Sequence, residues 1–168
     1  MSSDANRQWS KQSKEQWFKT CLKKRNKPVP QGRIEIQRYG ISIEIPPGMQ
    51  LEMNESGEEV IIASSESIAA KSCIREMSVL HGQFFGGGGY SYIGIADGSM
   101  TLCQESPDYC GKPIAISFLG KNHTLFKGRT DYVNASNPYN GKRFHVYFHR
   151  ISSDNTIMNF IQSAQKSR

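Results

Sequence analysis

The chain has 168 residues, with 21 Lys and Arg against 15 Asp and Glu for a formal net charge of +6, and 37% of it is hydrophobic. That length suits one globular domain with solvated tails and argues against two. No run approaches the roughly 18 apolar residues of a membrane span, and the start MSSDANRQW lacks the apolar segment of an export signal, so neither is expected here.

Residues 4–25 have the pattern of a basic helix, with Asp4 placed to cap it and Trp17, Phe18, Cys21 and Leu22 forming a narrow apolar stripe. Residues 1–33 hold nine basic residues against Asp4 and Glu15, a local charge of +7, which leaves −1 for the rest. A charge run of this kind is ordinarily a solvated helix face. Its sharper meaning is attraction of residues 1–27 to an anionic surface, either phospholipid headgroups or nucleic acid. Pro28 and Pro30 then stop the helix, so residues 1–32 form a basic arm and linker and 33–168 a single α+β domain.

From Arg33 the hydrophobic period changes to two. Ile34 and Ile36, then Ile41, Ile43 and Ile45, alternate with polar residues, and Met49, Leu51 and Met53 continue beyond the Pro46-Pro47-Gly48 turn. With EEVIIAS after the turn at residues 55–57, this predicts a meander of three or four strands. Ile68, Ala69, Cys73, Met77 and Leu80 return to helical spacing, which predicts a helix over 66–81 ending at His81-Gly82. Strand alternation resumes in YSYIGIA, SMTLCQE, PIAISFLG, HTLFKG and RFHVYFHRI. A short helix over 154–165, capped by Asp154, closes the chain. The expected fold is α+β: an antiparallel sheet packed with an N-terminal, a central and a C-terminal helix.

The four cysteines bear on compartment. Cys103 and Cys110 flank a Pro-Asp turn at a spacing that suits a hairpin disulfide, which leaves Cys21 and Cys73 as a long-range pair. Four buried free thiols are the alternative. Zinc is disfavoured, because no CxxC occurs and the histidines do not flank the cysteines at finger spacing.

Candidate chemistry is sparse. Gly86 to Gly89 follow a helix and precede a strand, the reverse of a dinucleotide loop, and no phosphate-binding lysine motif occurs, so no cofactor is expected. His145 and His149 would share a metal on a helix, but on an alternating strand four residues span about 13 Å. With His145, Tyr147 and His149 on one face, Phe144, Val146 and Phe148 are the natural core. His81, beside the glycine run, is the best single general-base candidate, and a small hydrolase using His81 or the His145/His149 face is the alternative function. Nucleic-acid binding is disfavoured because the basic residues sit in a helix and the aromatics in the sheet.

The opening YGISIEIPPGM and the closing RFHVYFHRISSDNTIMNFIQSAQ resemble the compact sandwiches of the Mog1/PsbP/DcrB type, over residues 33–165. Such domains occur as bacterial envelope lipoproteins and as immunity proteins. The resemblance implies a non-enzymatic scaffold in the periplasm or tethered to the envelope membrane, which binds another protein such as a toxin or an envelope component. The loops are then the partner surface: Phe84, Phe85, Tyr90 and Tyr92 around the glycine run, Asp108 and Tyr109 in the cysteine loop, and Tyr139 in the loop before the last strand.

Overall fold

The computed structural model describes residues 11–25, 32–53, 58–81 and 91–168, with the side chains of 11, 12, 25, 71 and 75–81 excepted. Helix α1 (Lys11–Arg25) is followed by strands β1 (Arg33–Ile36), β2 (Ile41–Glu44), β3 (Met49–Met53) and β4 (Glu59–Ser64). Helix α2 (Ser65–His81) leads to β5 (Tyr92–Asp97), a short helix α3 (Leu102–Glu105) and a 3-10 turn over Pro107–Tyr109. Strands β6 (Ile114–Phe118), β7 (Lys121–Phe126), β8 (Thr130–Ser136) and β9 (Arg143–His149) precede α4 (Asp154–Ser163) and β10 (Gln165–Lys166). The α+β class with antiparallel sheets is as the sequence predicts.

Backbone contacts divide the chain into two units, 1–29 with 64–90, and 30–63 with 91–168. In the first, α1 packs on α2 and a disulfide joins Cys21 to Cys73, as their pairing by elimination predicted. Ser64 caps α2, its hydroxyl accepting from the Ser67 amide at 3.0 Å. The predicted helix over 66–81 is therefore present, whereas residues 4–10 of the predicted N-terminal helix lie outside the described residues.

The second unit holds a seven-stranded sheet in the order β3-β4-β5-β9-β8-β7-β6 and a three-stranded sheet β1-β2-β10. The expected four-strand meander is thus divided: β1 and β2 form a hairpin in the small sheet, while β3 and β4 belong to the large one. Gly40, in the left-handed conformation at φ +66°, makes the reversal before β2, and a Cβ there would meet Asn137 Oδ1 at 2.6 Å. In the large sheet Ile93 lies opposite Phe148, and Ile95 and Val133 both lie opposite Val146. These side chains make one face, and α4 lays Ile157, Phe160 and Ile161 into the same core together with Ile41 and Ile43 of the small sheet. Each such side chain, fully buried, contributes about 1.5–3 kcal/mol.

Four further local differences have physical causes. SMTLCQE is not a strand, because Leu102–Glu105 coils into one helical turn that brings Cys103 to Cys110. The polar segment TDYVNAS, without a clean alternation, is the interior strand β8: its Asp131 accepts from the Gly128 amide and its Asn134 bonds the Met100 backbone. The expected turn at Gly120-Lys121-Asn122 falls one residue earlier, on Leu119 and Gly120, both with positive φ (54° and 75°). The cap of α4 is Ser153, whose hydroxyl accepts from the Thr156 amide, and not Asp154.

Candidate functional site

The second face of the large sheet carries the chemistry-bearing residues of β9. His145, Tyr147 and His149 stand on it and Phe144, Val146 and Phe148 are buried on the other, which is the expected division. Tyr147 lies directly across from Gly94, and a Cβ at Gly94 would meet the Tyr147 ring at 2.1 Å. Glycine is therefore required where the ring crosses the neighbouring strand. The Tyr147 hydroxyl donates to Glu59 Oε1 on β4. Burial, followed by this bond to a carboxylate, pushes the phenol well above its ordinary value. Tyr92 meets the Tyr147 ring edge-on at 5.8 Å and the His149 ring at 4.8 Å. Burial, with Arg150 nearby, holds His149 below the ordinary imidazole value.

His145 takes a different partner: its Nδ1 is 3.0 Å from the Gly98 carbonyl oxygen. His145 and His149 share a face without converging, since both lie in one regular strand and Tyr147 stands between them. His81 closes α2, and its side chain lies outside the described residues. Among the described residues no group of three or more His, Cys, Asp or Glu side chains is placed to hold a metal ion.

Beside this face lies the segment from Gly98 to Pro113, which is fastened to β8 and to the connection between β7 and β8. The Met100 amide donates to Asn134 Oδ1 at 2.8 Å and its carbonyl accepts from Asn134 Nδ2 at 2.9 Å. The Cys103 amide donates to the Tyr132 hydroxyl at 2.9 Å, which in turn donates to Gln104 Oε1 at 3.0 Å. Tyr132 is fully buried there, stacked on Phe126 at 4.9 Å. The Gly111 amide donates to the Lys127 carbonyl at 2.9 Å, and the predicted Cys103–Cys110 disulfide closes the loop. Gly128 brings the chain close to this bridge: a Cβ there would lie 3.1 Å from Cys110 Sγ.

Among its exposed polar residues this loop presents two large apolar side chains. Tyr109 is 68% exposed and Leu102 41%, and with Ser106 and Arg129 they line a shallow hollow of about 280 Å³. The Arg129 guanidinium sits 5.7 Å from the centre of the Tyr109 ring, within cation–π range. Asp108, beside Tyr109, is exposed. A fixed backbone with an exposed tyrosine binds a partner at a small entropic cost, since little is left to order.

The remaining loop residues are not gathered at this hollow. Tyr92 begins β5 opposite His149, whereas Tyr139 is in the β8–β9 connection at the other end of β9. Tyr139, although 56% exposed, is engaged by its own chain: Lys166 Nζ is 4.5 Å from its ring centre and its hydroxyl donates to the Ser167 carbonyl. Phe84, Phe85 and Tyr90 lie outside the described residues. Leu102 and Arg129 do not stand out in the sequence, because SMTLCQE suggests a strand and Arg129 lies in a short polar connection; the Pro-Asp-Tyr between two cysteines is the local signal.

A second cleft, of about 530 Å³, lies between β2 and α4, lined by Arg33, Glu44, Pro46, Asn159 and Gln162 among others. Arg33 spans it, donating from Nη1 to Ser42 Oγ at 2.8 Å and to the Ser163 carbonyl at 2.9 Å, which makes it a clamp between strand and helix. No protein-family model matches the chain, and no curated protein matches it.

Proposed function

We propose that this chain is a non-enzymatic protein-binding protein of the bacterial cell envelope, with the Cys103–Cys110 loop as its contact surface. The observation that carries this is the exposed Tyr109 and Leu102 beside a hollow on a loop fastened by a disulfide and by hydrogen bonds to Asn134 and Tyr132. Tyrosine and arginine are enriched among the residues that carry most of the energy of binding surfaces. Two disulfides in one small chain favour an oxidising compartment, which supports the periplasm. The resemblance to Mog1/PsbP/DcrB-type domains points the same way, and an immunity protein that blocks a secreted toxin is its sharper form. Lys19, Lys23 and Lys24, exposed on α1, would hold the chain near anionic headgroups.

The test is capture from periplasmic extract and from candidate toxins with the disulfide-intact protein, beside a Leu102→Ala/Tyr109→Ala variant. A specific partner should be retained by the parent and bind at least about tenfold more weakly to the variant, the loss expected for one or more anchor residues. Partners that the variant captures equally well would place the contact elsewhere.

A further inference from the structure

The free edge of the large sheet at β6 is built for strand pairing. The β6–β7 hairpin is closed by two residues, Leu119 and Gly120, both with positive φ, so it is a type I′ turn. In such a hairpin the flanking residues, here Phe118 and Lys121, exchange hydrogen bonds, and along an antiparallel pair the bonded positions alternate. Since Phe118 lies opposite Lys121, Ile116 opposite His123 and Ile114 opposite Leu125, these three β6 residues turn their backbone groups toward β7. The amides and carbonyls of Ala115 and Ser117 therefore point out of the sheet. Both residues are exposed, and among the described residues no turn, loop or side chain hydrogen-bonds to their backbone.

Natural sheets guard such edges with charge, proline or a bulge inside the strand. The other edge strand, β3, carries Glu52 in this way, whereas Ile-Ala-Ile-Ser-Phe has no such residue and leaves Ile114 44% exposed. The sequence is also self-complementary. In an antiparallel pairing of two β6 strands centred on Ile116, Ala115 of one copy faces Ser117 of the other and Ser117 faces Ala115. That makes four hydrogen bonds from the outward-pointing groups. The same register sets Ile114 against Phe118 of the second copy and Lys112 against Gly120, so no like charges meet. The unit containing β6 has 11 basic and 11 acidic residues, and so opposes the approach of a copy with no net charge of its own.

We propose that a second copy of this chain pairs along β6, joining two seven-stranded sheets into one about a two-fold axis at Ile116. This surface is separate from the Leu102–Tyr109 hollow, and either assignment can fail without the other. The experiment is sedimentation equilibrium of the full chain with both disulfides intact, from about 10 μM to about 1 mM, the span of weak interfaces. The mass should rise from one chain toward two. Ala115→Pro removes an outward amide while sparing the bonds to β7, and should weaken association at least about tenfold, as loss of the central hydrogen bonds requires. Ile114→Lys, on an exposed side chain, should do the same and decides the matter if the proline variant does not fold. The Leu102→Ala/Tyr109→Ala variant should associate like the parent. A single-chain mass throughout the range, or a dimer that persists in folded Ile114→Lys and Ala115→Pro proteins, would overturn the proposal.

Discussion

The two units are held together by different means. The unit of 1–29 and 64–90 has ten basic residues against four acidic ones and so carries the whole charge of +6, while the sheet unit is balanced at 11 of each. The contiguous core cluster, from Ile36 to Ala164, lies entirely in the sheet unit. Among the described residues of the helical unit only Cys21, Ala69 and Cys73 are buried, and two of these are the disulfide itself. A small surface-rich pair of helices with like charges cannot rely on burial alone, so a covalent bond does there what apolar packing does in the sheet.

The largest expected effect breaks that contrast at its covalent end. Replacing Cys21 and Cys73 by serine opens a loop with a sequence separation of 52 residues and should cost about 4 kcal/mol. Hydrogen exchange should speed up in α1 and α2 while β5, β8 and β9 stay protected, and equal loss everywhere would contradict the division of labour. Next, Gly94→Val drives a side chain into the Tyr147 ring and should cost about 3 kcal/mol, read as a lower urea midpoint in the sheet. Opening the Cys103–Cys110 bridge, with a separation of only 7, should cost about 2.5 kcal/mol and raise exchange in residues 98–113.

Smaller effects follow from titration. Tyr147→Phe removes the donor to Glu59 and should cost about 1.5–2 kcal/mol. Because the folded Tyr147 phenol titrates above its unfolded value, the stability it lends is complete below about pH 10 and is lost as pH rises beyond, so the variant should flatten the alkaline arm of a urea-midpoint profile. His149 has the opposite sense. Its folded value is depressed, so its contribution is present above about pH 6.5 and is lost as pH falls through the lowered value. His149→Gln should flatten the acid arm by the smallest amount of this series.

Much of the fold was legible because one-sided burial leaves a period in the sequence. Ile41, Ile43 and Ile45, and Phe144, Val146 and Phe148, each place every second residue in the core, and both sets are found there. Strand β8 was not legible, because its two faces are both covered. Tyr132 lies under the disulfide loop and Val133 in the core, while the polar Asp131 accepts from the Gly128 amide at 3.1 Å and pairs with Lys127. The loop over Tyr132, which meets it through Cys103 and Gln104, is a tertiary partner, and a local pattern does not reveal it. Of the candidate surface, the bridge and Tyr109 could be read from spacing, whereas Leu102 needed the helical turn and Arg129 the neighbouring hairpin to bring them together.

Strands β4 and β5 are antiparallel neighbours, with Ile62 opposite Ile93, yet the chain leaves the first and returns to the second by way of Ser64–Tyr90. A connection of a few residues would serve the same register. The excursion is in this sense a cassette, attached at one end of a single pair of neighbouring strands.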